Sequence, residues 1–174
     1  KKDQKEIYYA IGTNKEAIDL NPHLEIFKAK GLEVLYLYDP VDEFVVSSIR
    51  KHKDFDFKSV DGVSLKDIEK LEDVVKDEEP KEKLSKEDDK SFGKLMLKMK
   101  EILGERVTEV HESKRLKGSP SCLINPDDTM SSTMQKILKM SNQGMAMPTQ
   151  KRLMEINKDH KLIINLVNVF KKNE

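Results

Sequence analysis

The chain has no tryptophan, one cysteine, no two glycines spaced G-x-G and no apolar run of 18 residues. Each shortage excludes something. The lone Cys122 cannot close a disulfide within the chain, which fits a reducing, intracellular setting. Without a long apolar run there is no helical membrane span, and no secretory h-region is visible. The seven glycines, at 12, 31, 62, 93, 104, 118 and 144, form neither a dinucleotide turn nor a P-loop. An excess of either charge is missing too: 32 Lys+Arg balance 32 Asp+Glu, so net charge points to neither nucleic acid nor an anionic membrane. His23, His52, His111 and His160 share no helical ligand spacing, and one thiol makes no cluster, so no metal centre is expected.

What is present is length and charge. The 174 residues suffice for one domain or two small ones, and 37% of them are charged. The chain starts Lys1-Lys2-Asp3 rather than with Met, and is expected to be a piece of something longer. Ile7–Ile11 reads as a strand stopped by Gly12. Residues 14 to 30 read as a helix, divided or kinked at Pro22 and capped by Gly31, and Val34–Tyr38 is the next strand. This order predicts a right-handed βαβ unit. Asp39-Pro40 starts another helix, with Asp as N-cap, Pro at the first helical position and Asp42 and Glu43 in the first turn. Val41, Phe44, Val45, Ser48 and Ile49 share one of its faces. Phe55 and Phe57 alternate with polar residues before a turn at Asp61-Gly62.

From Lys66 to Lys90 the composition shifts: 18 of 25 residues are charged, which predicts a junction or a solvated helix start. A helix begins at Ser91, with Phe92, Leu95, Met96, Met99, Ile102 and Leu103 at the 3.6 period. Val107–His111 and Ser121–Asn125 read as strands around Gly118-Ser119-Pro120 and are expected to pair. A final helix is expected over Lys151–Lys172, with a break near Asn157-Lys158-Asp159. The expected fold is a small βαβ-type α/β domain over 1–65, a charged junction over 66–90 and a mainly helical α+β domain over 91–174.

Three features carry possible function. Cys122 lies in an apolar strand with no base beside it, as a buried, unreactive thiol would. Asp42 and Glu43 beside Phe44 suit either a helix start whose aromatic packs inward or an acid–aromatic groove. Met130 to Met147 holds five of the eight methionines, and Met130, Met134, Ile137, Leu138 and Ser141 share a helical face. Such stripes are ordinarily core. This one is narrow, with small polar flanks at Ser131, Ser132 and Thr133, and Met145 and Met147 follow in a loose end. That fits helix-in-groove contact with adaptable side chains. Leu162 to Phe170 is apolar nearly all round, which asks for burial on more than one side.

Several strings, taken in order, resemble one family. They are Gln4-Lys5-Glu6-Ile7-Tyr8-Tyr9, Lys30-Gly31-Leu32-Glu33-Val34-Leu35 and Asp39-Pro40-Val41-Asp42-Glu43-Phe44. Then come Ser113-Lys114-Arg115-Leu116, Ser119-Pro120-Ser121-Cys122-Leu123-Ile124, Met130-Ser131-Ser132-Thr133-Met134 and Glu155-Ile156-Asn157-Lys158-Asp159-His160. The set resembles the ninety-kilodalton heat-shock protein family of ATP-driven chaperones, in its bacterial high-temperature protein G form.

The resemblance implies that residues 1–65 end the family's middle domain and that 91–174 form most of its C-terminal domain, without the last dimerisation helices. It places the ATPase, with its ATP and magnesium, in an N-terminal domain outside this chain, so no catalytic residue and no cofactor are expected here. It implies partly unfolded client proteins as partners, a cytoplasmic homodimer as the parent, and possible co-chaperones. Client contact is implied at Met130, Met134, Ile137 and Leu138, and at Glu43, Phe44 and Ser47. Dimer contact is expected at Leu162, Ile163, Leu166, Val167 and Phe170. Two positions depart from the family pattern: Phe44 stands where bacterial relatives often have Trp, and Lys158 where Pro is usual. The rival readings are a purely structural dimerisation module, and a small α/β enzyme with its site near Gly12 and Asp39.

Overall fold

The structure is a computed structural model. It describes residues 4–63, 65–68, 71–74, 83–125, 134, 135, 137 and 151–173. These fall into two compact units, the first taking the described residues of 1–75 and 125–150, the second those of 76–124 and 151–174.

The first unit is a four-stranded sheet with helices between its strands. β1 (Ile7–Ile11), β2 (Val34–Leu37), β3 (Lys51–His52) and β4 (Phe55–Ser59) lie in the order β2-β1-β4-β3. β1 pairs parallel with β2 and with β4, and β3 closes the edge antiparallel to β4. Between β1 and β2 run α1 (Lys15–Asp19) and α2 (Leu24–Ala29). Asn14 caps α1 by accepting from the Ala17 N–H at 2.8 Å. α2 ends in a Schellman turn. Gly31 takes φ 58°, its N–H reaches the Lys28 carbonyl at 3.0 Å, and the Leu32 N–H reaches that of Phe27 at 2.8 Å.

Alternation along β1 divides the unit into two faces. Tyr8 and Ala10 enter a core with Ile18, Leu24, Ile26 and Phe27, where Tyr8 meets Phe27 edge-on at 4.8 Å. Val60, Val63 and Ile68 complete that core. Ile68 belongs to α4 (Leu65–Ile68), so one apolar residue of the charged stretch is fully buried. Chain beyond it is tied to α2: the Val74 N–H donates to the Ala29 carbonyl at 2.8 Å, and Lys30 pairs with Asp73 at 2.9 Å. Tyr9 points to the opposite face, toward α3 (Pro40–Ile49).

In the second unit α5 (Asp88–Leu103) and α6 (Lys161–Lys172) pack on a sheet of order β5-β7-β6. The strands are β5 (Val107–Glu112), β6 (Ser121–Ile124) and β7 (Arg152–Ile156). Here the structure departs from the sequence reading. Arg152–Ile156 was expected to begin the last helix, and instead it is the central strand, parallel to β5 and antiparallel to β6. The expected β5–β6 neighbours are therefore separated by it. Arg, Leu, Met and Glu all favour helix, but both edges of this segment are paired and Ile156 is completely buried. The last helix begins only after Asn157-Lys158-Asp159, where His160 accepts the Leu162 N–H at Nδ1, 3.1 Å away.

β7 splits its side chains between two clusters. Met154 and Ile156 join Phe92, Leu95, Ile163 and Val167 under the helices. Leu153 packs with Leu116, Cys122 and Ile124 on the other face. Beside that cluster Arg115 and Glu155 form a buried ion pair, Nε to Oε2 at 3.3 Å, and Ser113 Oγ donates to the same oxygen at 2.6 Å. Cys122 is buried and forms no disulfide.

Candidate functional site

α3 is the element whose exposure departs from its composition. Its start is fixed by a capping box around Pro40: Asp39 accepts the Val41 N–H at 3.0 Å, and Asp42 accepts the Asp39 N–H at 3.2 Å. The helix closes at Arg50, whose N–H reaches the Val46 carbonyl at 2.9 Å. Helical period then sets Glu43 and Val46 on one side and Val41, Phe44, Val45 and Ile49 on the other.

The side that meets the protein is the one holding the acid. Glu43 is 2% exposed, and Val46 is buried with it. Val41, Phe44, Val45 and Ile49 face solvent, at 55%, 45%, 45% and 53% exposure. Soluble helices ordinarily arrange these classes the other way round. Phe55 is also exposed, and alternation along β4 puts it on the α3 side of the sheet.

Beneath the helix the environment is polar and negative. Burial is the chief force lifting the Tyr9 phenol above its ordinary value, the Glu43 and Asp61 carboxylates add to it, and the Ser59 hydrogen bond opposes it. On the opposite face of the sheet, in β2 beside Ala10, Tyr36 donates to Asp19 at 2.8 Å. Burial first, and that carboxylate second, push its phenol up to about 12. Lys15, Tyr36 and Lys28, in that order, hold the Asp19 carboxyl well below the usual range.

The expected contact residues separate in the structure. Phe44 and Ser47 are exposed on α3, and Glu43 is not. Met134 and Ile137 are helical and half-buried, and they group with the first unit. Met130, Leu138, Met140, Met145 and Met147 lie outside the described residues. On α6 the apolar residues form two stripes. Ile163 and Val167 are buried, with Phe170 packed against them, whereas Leu162, Leu166 and Val169 are exposed. Gly12 and Asp39, proposed for a small enzyme, have other tasks. A Cβ on Gly12 would meet Ile18 Cγ1 at 2.6 Å, and the Asp39 carboxylate is occupied by the cap. Among the described residues no three His, Cys, Asp or Glu side chains could hold a metal, and no helix is long and apolar enough to cross a membrane.

Sequence reasoning grouped Val41, Val45 and Ile49 correctly but did not mark them as a site. Their period reveals a face; it does not say which way the face points.

The exposed apolar side chains of α3 over the sheet make this face the candidate interaction surface. A sequence model of the family described as Hsp90 protein matches residues 1–174, the full length, and the chain belongs to this chaperone family. Its relatives include chaperone protein HtpG of Oleidesulfovibrio alaskensis, 39% identical over 168 residues, which covers 97% of this chain and 26% of the relative. HtpG of Chlorobaculum tepidum is 42% identical over 164 residues, covering 94% and 24%. HtpG of Geobacter sulfurreducens is 39% identical over 171 residues, covering 98% and 25%. The chain thus spans about a quarter of the length of the curated relatives it matches.

Proposed function

We propose that this chain is the part of a chaperone that holds partly unfolded polypeptides against exposed apolar side chains, chiefly on α3. One observation carries the reading: α3 is seated through Glu43 and Val46 and presents Val41, Phe44, Val45 and Ile49 to solvent. Unfolded chains expose apolar side chains in no fixed order, so a flat apolar face that needs no matching pocket suits them. Phe44 supplies the largest contact area and Ser47 a polar margin.

The same reading assigns residues 1–65 to the end of a middle domain, and 91–174 to most of a C-terminal domain. ATP and magnesium then act in a part of the parent outside this chain. The parent works in the cytoplasm as a homodimer, with co-chaperones as further partners. A second client contact is proposed at Met130, Met134, Ile137 and Leu138.

The test is binding of a permanently unfolded protein, followed by fluorescence anisotropy, with Phe44→Ser plus Ile49→Ser as the variant. Weaker binding at an unchanged melting temperature supports the reading. Full binding by a folded variant overturns it for α3 and shifts the weight to Met134 and Ile137, where Met134→Asp is the next variant. A dimerisation module is the rival, favoured by the exposed stripe Leu162, Leu166 and Val169. Loss of self-association in Leu162→Ser plus Leu166→Ser, with client binding intact, would assign that stripe to assembly.

A further inference from the structure

The apolar face of α3 does not end in neutral surface. Ile49 is followed at once by Arg50, Lys51, His52 and Lys53, all exposed, which form the corner after α3, strand β3 and the first turn residue before β4. Arg50 and Lys53 take φ of 56° and 54°, the left-handed region that residues with a Cβ seldom adopt. The corner is nonetheless tied down: the Phe57 N–H donates to the Arg50 carbonyl at 2.9 Å, and β3 pairs with β4.

The cations of this hairpin are unequally answered. Lys51 has Asp56 at 3.7 Å. The Arg50 Nε reaches only the Ser47 carbonyl, at 3.4 Å, and neither Arg50 nor Lys53 makes an ion pair among the described residues. The acids of the hairpin are Asp54 and Asp56. At the opposite end of the helix the charges are Asp39 and Asp42, both engaged in the cap, and the buried Glu43. The face thus runs from an acidic start to a basic end over ten residues, roughly 15 Å of helix. That exceeds a Debye length of about 10 Å at 0.1 M salt, so a bound segment meets the two ends as separate fields.

We propose that the Arg50–Lys53 hairpin makes the α3 surface select apolar polypeptide segments flanked by acidic residues, with the acidic flank held at the hairpin. The inference rests on the reading of α3 as a client surface and adds the chemistry of the preferred client. Apolar contact with Phe44, Val45 and Ile49 supplies the attraction common to all clients. Arg50 and Lys53 supply the discrimination, because neither is held by a carboxylate of the described residues when it meets the complementary charge.

The probes are short labelled peptides with one Phe- and Leu-rich centre and a flank of Glu, Gln or Lys, measured by anisotropy on the full chain. The Glu-flanked peptide is expected to bind about 3- to 10-fold tighter than the Gln-flanked one in dilute buffer, as two rim charges allow. That preference disappears when ionic strength rises from about 0.05 M to about 0.5 M. It also disappears in Arg50→Asn plus Lys53→Asn, where Asn tolerates the left-handed backbone and binding of the Gln-flanked peptide stays unchanged. If that variant unfolds, the salt series on the native chain decides alone.

Equal affinity for the Glu and Gln flanks overturns the proposal while leaving α3 as a client surface, provided Phe44→Ser still weakens both peptides. Tightest binding of the Lys flank also overturns it. An oligouridylate bound more tightly than the Glu-flanked peptide overturns it in favour of nucleic acid. Failure of every peptide to bind removes the α3 reading itself, and this proposal with it.

Discussion

Glu43 and Phe44 are neighbours in the chain and face opposite ways: the carboxylate is 2% exposed against the sheet, the ring 45% exposed above it. The acid–aromatic pair is therefore two parts with different duties. Glu43 seats the helix and acts electrostatically on Tyr9 beneath it, and Phe44 meets solvent. Glu43→Ala is expected to cost about 1–3 kcal/mol of stability, because it empties the buried side on which α3 is seated. Phe44→Ser is expected to change stability by no more than about 0.5 kcal/mol and to weaken the binding of unfolded chains. Urea unfolding and client anisotropy on the two variants check the division.

Gly12→Ala tests the turn after β1. The added methyl meets the Cγ1 methylene of Ile18 at 2.6 Å, and Ile18 is buried in the core. A loss of about 1–3 kcal/mol is expected, read from the denaturation midpoint. A neutral effect would mean that α1 shifts without penalty.

Alkaline stability tests the buried phenol under α3. Burial and two carboxylates raise Tyr9, so the folded chain favours the neutral phenol more than the unfolded chain does. The contribution of Tyr9 is intact below the ordinary phenol value of about 10, and is lost as pH climbs above it, where the unfolded chain ionises first. Melting temperature should therefore fall less steeply between about pH 9 and about pH 11 in Tyr9→Phe than in the native chain. Tyr36 is raised as well and is present in both proteins, so it cancels in the comparison. Parallel curves would contradict the placement of Tyr9.

The two stripes of α6 should answer differently to truncation. Ile163 is buried with Val167 and Phe92, so Ile163→Ala is expected to cost about 2–5 kcal/mol. Leu166→Ser, on the exposed stripe, is expected to stay within about 0.5 kcal/mol. Urea midpoints of the two variants give the comparison.

Much of the local structure was legible because it is written in side chains that act on their own backbone. Asp39-Pro40 starts α3, Gly31 ends α2 and the alternating β-formers mark β1, each by a mechanism contained within a few residues. β7 was not legible. Its residues favour helix, and only partners some 30 to 45 positions earlier in the chain make it a strand. The direction of the α3 face was hidden for a similar reason. Period groups Val41, Phe44, Val45 and Ile49, but a buried glutamate on the reverse side inverts the usual assignment, and Glu43 reads in sequence as an ordinary acid of a helix start. The basic hairpin was overlooked because its charges are diluted in a chain that is 37% charged, and only the fold sets them at the end of an apolar face.

The most direct measurement is methyl NMR on the full chain while a permanently unfolded protein is added. The account predicts shifts at Val41, Val45 and Ile49 that saturate with binding, with the core methyls of Ile18 and Val60 unmoved. Saturable binding that leaves the Val41, Val45 and Ile49 methyls unshifted would contradict it.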